Sequence, residues 1–280
     1  MKRTYPAPPG GLPPQSDLIA DRSIFTDAYA VIPKRCLSDI VTSRLPGWRD
    51  TRAWVLARPM TGFAETFSQL ILEIAAGGGA ETPEPEAAAE GAYFVLDGEI
   101  TLTLSGKSRT LSPGGFAYLP PGVDYAMTAP TTARVVWVRK RYEPAAHFNA
   151  PQPIFASDGD IAPTPMPDTD GRWATTRFMD SDDLSHDMHM TVVTLQPGAV
   201  IPFPETHVME HGLYVLQGKG IYRLNQDWVE VEAGDFMWLR AFCPQACYAG
   251  GPEPFRYLLY KDVNRFPPLD APGGRLIGPT

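Results

Sequence analysis

The chain has 280 residues, 44% of them hydrophobic and 20% charged, with a formal net charge of −8. That is enough apolar material for one large core or two modest ones, and the acidic balance argues against nucleic acid or an anionic membrane as a main partner. No apolar run approaches the roughly 18 to 20 residues that a bilayer span needs.

The opening stretch, MKRTYPAPPGGLPPQSD, carries two basic residues with no apolar segment behind them, so it does not read as a secretory signal. The three cysteines, Cys36, Cys243 and Cys247, are too few and too odd in number for a disulfide framework. They point to a reducing compartment, and the cytoplasm is expected. Residues 1–60 form an N-terminal extension, expected to pack on the rest of the chain or on a neighbouring subunit.

Beyond residue 60 helical periodicity is hard to find. Thirty Pro and 25 Gly are spread between short apolar runs, the pattern of many short strands joined by turns. Shifting the sequence by 120 residues lays GAYFVLDGEITLTL (91–104) on HGLYVLQGKGIYRL (211–224). It also superposes Gly78 on Gly198, Gly98 on Gly218, Gly114 on Gly234, Phe116 on Phe236 and Leu119 on Leu239. One gapless offset over roughly 60 positions is an internal repeat, and units of about 100 residues suit a small barrel or jelly roll.

The first unit is placed at 61–142. A connector at 143–185 comes next, with six Pro between residues 143 and 171, which suits a partly extended linker. The second unit is placed at 186–280, with strands expected at 190–195, 212–216, 220–224, 227–232 and 255–260. In DWVEVE the alternation puts Val229 and Val231 on one face of a half-buried strand.

The second unit also holds ETHVMEH, residues 205–211, in a chain with only five His. Glu205, His207 and His211 share parity, so on an extended backbone they point to one side, while Glu210 faces the other way, outward. Two imidazoles and a carboxylate without a thiolate suit an open site for Mn²⁺, Fe²⁺, Ni²⁺ or Zn²⁺ rather than a closed structural zinc. His186 and His189 stand three apart and so face opposite ways; they are expected to be linker or edge residues. His147 lies in the connector. Cys243 and Cys247 are expected to be buried small hydrophobes. At the 120-residue offset Glu205, His207, His211 and Gln245 fall on Pro85, Ala87, Gly91 and Tyr125, so the first unit is expected to hold no metal. Its glutamates at 81–90 read as an acidic surface loop.

The stretch from Gly198 to Gly218 resembles the first cupin motif with its ligand order changed: Glu205 stands at the first His, His207 at the second and His211 at the usual Glu. The second motif opens at Gly234, with Gln245 in place of its His. This set resembles that of the bicupin (S)-ureidoglycine aminohydrolases of purine (allantoin) catabolism, and the resemblance extends to the tail RYLLYKDVNR (256–265). Phe266, where a polar residue is expected, departs from it.

The resemblance implies an all-β chain of two tandem cupin barrels that binds one Mn²⁺ through Glu205, His207, His211 and Gln245. It implies hydrolysis of a small ureide, releasing ammonia and leaving (S)-ureidoglycolate. Gln245 is a hard, weak ligand that favours Mn²⁺ over Zn²⁺. Glu205 and Lys261 are the implied catalytic residues, and Tyr222, Tyr257, Lys261 and Gln245 the implied substrate contacts. A homo-oligomer is expected. Two alternatives stay open at this point: another metal-dependent cupin enzyme, such as a dioxygenase or isomerase acting on a small acid, and a non-enzymatic binding protein.

Overall fold

A computed structural model describes residues 23–37, 41–262 and 265. The first 22 residues of the expected N-terminal extension and Phe266 lie outside these. The described chain is all-β, with no α-helix among the described residues. It forms sheets of nine, eight and four strands. The nine-stranded sheet curls into the first barrel; the other two enclose the second.

The interior of the first barrel is filled by Leu72, Tyr93, Val95, Leu102, Tyr125, Met127 and Trp137 among others. The interior of the second includes Val193, Leu213, Val215, Tyr222, Met237, Cys247 and Tyr257. Strand residues of opposite parity, among them Phe94, Phe116 and Val136 from one barrel and Val192, Tyr214 and Leu258 from the other, make a third core between the barrels. Each central strand is therefore apolar on both faces, which is why GAYFVL and HGLYVL read as continuous apolar runs rather than alternating ones.

The connecting segments are exchanged between barrels. Tyr29–Ile32 of the N-terminal arm pairs with Phe236–Leu239 of the second barrel. Ile154–Ser157 of the connector pairs with Gly115–Leu119 of the first. Each arm thus completes the sheet of the barrel that does not directly follow it.

The repeat also places a buried glutamate at the same position in each barrel. Glu210 accepts hydrogen bonds from the backbone N–H of Glu65 and Thr66 at 3.0 and 3.1 Å. It accepts two more, from Thr66 Oγ1 at 2.7 Å and Trp238 Nε1 at 2.6 Å. Its equivalent at the 120-residue offset is Glu90, which accepts from Tyr118 Oη at 2.6 Å, and Tyr118 is the equivalent of Trp238. Glu210 therefore does face away from the interior of its own barrel, as parity requires, but it is only 6% exposed and points into the first barrel rather than into water. Gly212 allows this approach: a Cβ there would stand 2.7 Å from the Phe67 ring of the first barrel.

Candidate metal centre

The second barrel opens at the ends of the strands Val200–Glu205, His211–Gln217, Gln245–Ala249 and Phe255–Asp262. Val200–Glu205 is an edge strand containing Pro202 and Pro204, which have no N–H to donate. Its pairing with the Gln245 strand lapses after Ile201 and resumes at Glu205, directly opposite Gln245. The two prolines thus set carboxylate beside amide. The loop after this strand carries His207 and is tied down by the Phe242 N–H, which donates to the His207 carbonyl at 2.6 Å. His207 Nε2 lies 3.4 Å from Glu205 Oε1, and its ring centre is 5.3 Å from that of His211.

His211 begins its strand, opposite Lys261 on one side and Leu239 on the other. It is 4% exposed, and its Nδ1 is 3.1 Å from the Glu210 carbonyl oxygen. A carbonyl can only accept, so Nδ1 carries the proton and Nε2 keeps its lone pair. Burial, then the neighbouring His207 and Lys261, push its pKa down to about 3; the imidazole is neutral, the form a metal requires.

Glu205, His207, His211 and Gln245 thus gather at one barrel mouth, and their donors suit a mid-sized divalent ion. Among the described residues no three His, Cys, Asp or Glu side chains close into a finished metal-binding group; Glu205, His207 and His211 are neighbours whose donor atoms would have to draw together around an ion.

Tyr222 and Tyr257 both point inward, with ring centres 5.9 Å apart in an edge-on arrangement. The Tyr222 hydroxyl is buried without a hydrogen-bond partner among the described residues. Burial raises both phenol pKa values, so each stays protonated and can donate. Lys261 lies on the same strand face as Tyr257. Burial lowers its pKa, Arg177 lowers it further, and Glu205 partly offsets the fall. The structure thus brings together the sequence-derived residues Glu205, His207, His211, Tyr222, Gln245, Tyr257 and Lys261.

Two residues went unrecognised in the sequence. His189 is neither a linker nor an edge residue: it sits inside the eight-stranded sheet opposite Lys261, only 5% exposed. Spacing did not separate it from His186 either: that ring, also buried at 4% exposure, lies edge-on to His189 at 6.3 Å and packs on Tyr118 of the first barrel at 5.2 Å, because the chain before Met188 is not extended. Arg177 was also missed. It pairs with Thr191 and shares its strand face with Trp173, which packs on the second barrel's interior. Its signal was weak, since a single Arg at the end of a short strand looks like any surface cation.

The first barrel shows why it lacks an equivalent quartet. Gly91, at the position of His211, has Trp137 Nε1 in the space a side chain would need, 3.1 Å from a built Cβ. Trp137 stacks on Tyr93 at 5.6 Å, and Tyr93 Oη lies 2.6 Å from Tyr125 Oη. Aromatic rings fill the interior below this position, and the mouth above them keeps a cavity of about 190 Å³ whose lining includes Pro85, Ala87, Gly91 and Tyr125 but no His. The acidic segment above them is more than a surface loop: Glu84 and Glu86 bind Arg139 at 2.5 and 3.1 Å.

Comparisons with known proteins agree with this architecture. A cupin domain model matches residues 191–260, and an EutQ-like cupin domain model matches residues 61–142. The chain is 32% identical to the (S)-ureidoglycine aminohydrolase of Arabidopsis thaliana over 88% of its own length and 79% of that protein. It is 29% identical to the (S)-ureidoglycine aminohydrolase of Escherichia coli, over 90% of its length and 95% of that protein. Among solved structures, the putative glyoxylate-induced protein of Pseudomonas aeruginosa superposes with a TM-score of 0.87 at 58% identity, covering 96% of this chain and all of that one. With two cupin barrels and this likeness along most of its length, the chain belongs to the bicupin (S)-ureidoglycine aminohydrolase family.

Proposed function

We propose that the protein is a Mn²⁺-dependent (S)-ureidoglycine aminohydrolase that releases ammonia and leaves (S)-ureidoglycolate. It would bind one ion per chain, in the second barrel. What carries this reading is the meeting of a carboxylate, two imidazoles and an amide at one mouth, in a chain whose relatives are named for this activity. Glu205, His207, His211 and Gln245 would hold the ion. When bound, it supplies Lewis acidity and fixes one face of the α-carbon of a chelating substrate.

The remaining chemistry falls to side chains. The Lys261 ammonium pairs with the substrate carboxylate, a contact that also compensates the burial of the charge. The neutral Tyr222 and Tyr257 hydroxyls donate to the ureido carbonyl. Glu205, besides being one of the residues that would hold the ion, would take a proton from the incoming water and return it to the departing amine, which leaves as ammonia. The buried aromatic walls keep bulk water from the substrate. The substrate is a small ureide, and the reading includes a cytoplasmic homo-oligomer; no helix among the described residues is long and apolar enough to cross a membrane.

The test is ammonia release from freshly prepared (S)-ureidoglycine with Mn²⁺ added, alongside allantoate and ureidoglycolate. Ammonia from ureidoglycine alone is expected. No release from ureidoglycine would overturn the reading.

A further inference from the structure

Arg177 ends the strand Trp173–Arg177, beside the strand Met188–Leu195, which in turn lies beside Phe255–Asp262. Register fixes which faces these residues share. Lys261 is opposite His189, and Arg177 is opposite Thr191, two residues further along. Directly opposed residues on antiparallel strands project to one side. Arg177, Thr191, His189, Lys261 and His211 therefore all stand on the face that lines the second barrel. Two strand spacings and two residues put the backbones of Arg177 and Lys261 about 12 Å apart, within the combined reach of two long side chains.

Neither cation is held by a protein carboxylate among the described residues. Among the described residues, Lys261 and Arg177 enter no ion pair, whereas the matching opening of the first barrel closes Arg139 against Glu84 and Glu86. Arg177 is exposed, yet its charge is felt at both Lys261 and His189. The acids whose charge reaches these groups are Glu205, in the quartet above, and Asp180, which acts on His189. Two mutually repelling cations on one concave face, neither in an ion pair with a described acid, make a site for an external anion.

We infer that Arg177 and Lys261 form a two-cation clamp for the carboxylate of the substrate, with Lys261 as its half-buried inner arm and Arg177 as its outer arm at the rim. The planar guanidinium offers two parallel N–H donors that match a carboxylate, and a compact ammonium cannot imitate this. The ligand class is a small α-substituted carboxylate. Arg177 thus selects for the acid before the reacting carbon is engaged, and it makes the same contact before and during reaction. This deepens the proposed function and rests on it for the identity of the substrate, but the anion site itself does not.

The experiment compares wild type, Arg177→Gln, Arg177→Lys and a distant control, Lys107→Gln, which removes one charge from an exposed strand of the first barrel. Two quantities are measured: steady-state kinetics on (S)-ureidoglycine, and oxalate binding by calorimetry to Mn²⁺-loaded and EDTA-treated protein. Arg177→Gln should raise KM and the oxalate Kd by roughly ten- to thirtyfold. This is the lower part of the range for a charge-assisted bond, because the guanidinium is exposed. Its kcat should stay within about twofold, as expected when a uniform binding contact is lost. Arg177→Lys should recover part of the loss, and Lys107→Gln should match wild type. If Arg177→Gln matched wild type in both measurements, the clamp would be refuted. A raised KM with unchanged oxalate binding would overturn the carboxylate assignment. Wild-type protein that releases no ammonia but loses oxalate on Arg177→Gln would remove the proposed reaction and leave the anion site standing.

Discussion

Truncating Glu210 to alanine should loosen the hold between the two barrels, and the structure sets the size of the effect. The carboxylate accepts four hydrogen bonds, from the Glu65 and Thr66 amides, the Thr66 hydroxyl and the Trp238 indole. The consequences differ by donor. Trp238 is 1% exposed, so its N–H would be stranded without water; an orphaned buried donor costs about 1 to 3 kcal/mol. The Glu65 and Thr66 donors lie in a segment that reaches solvent and can rehydrate, leaving a net loss of about 0.5 to 1 kcal/mol each. The sum over the four donors is about 2.5 to 6 kcal/mol. With an m-value near 3 kcal/mol/M, the urea midpoint should fall by roughly 1 M or more. Unfolding followed by tryptophan fluorescence and circular dichroism would measure it, and separation of the two probes would show the barrels melting apart. Glu210→Gln keeps one acceptor oxygen and should lose about half as much. A midpoint shift below about 0.3 M for Glu210→Ala would refute the claim that this carboxylate joins the barrels.

Elemental analysis should find one divalent ion per chain; two ions, or an ion placed in the first barrel, would contradict the aromatic filling around Trp137. His207→Ala and His211→Ala should lose both metal and activity, whereas His189→Ala should keep the metal, and equal metal loss in all three would mean the ligands are wrongly assigned. Lys261→Met should retain the metal and lower kcat/KM by roughly ten- to several-hundredfold, the value of one charge-assisted hydrogen bond; wild-type kinetics would place the ammonium outside the site. Burial above all, with Lys261 and His186 adding to it, depresses the His189 pKa from 6.5 to about 4. The unfolded chain therefore binds more protons between those values, and stability present above pH 6.5 is lost as pH falls toward 4. Going from pH 7 to pH 5 should cost about 2 kcal/mol through this group. Urea midpoints of metal-free wild type and His189→Gln at the two pH values measure it, and an equally steep loss in the variant would refute the assignment.

Several features of this protein are present in the sequence alone. The 120-residue repeat declares two copies of one β unit, because turns demand Gly at the same places in both. The parity of Glu205, His207 and His211 groups three polar side chains, because a strand has only two faces. Replacement of that pattern by Pro85, Ala87 and Gly91 announces the asymmetry of the two barrels. What linear order cannot express is which strands lie side by side. Glu205 meets Gln245 through an edge strand whose prolines skip the ladder. Lys261 lies between His211 and His189 because three strands distant in sequence are neighbours in one sheet. Arg177 becomes part of the mouth only through its register with Thr191. Parity sent Glu210 away from the metal but could not say whether water or another barrel waited there. Glu90, its equivalent in the repeat, reads in the sequence as part of an acidic surface loop, yet it too is buried, at 1% exposure. The choice between water and a second hydrophobic face is made by packing, and packing is settled only when the two barrels meet.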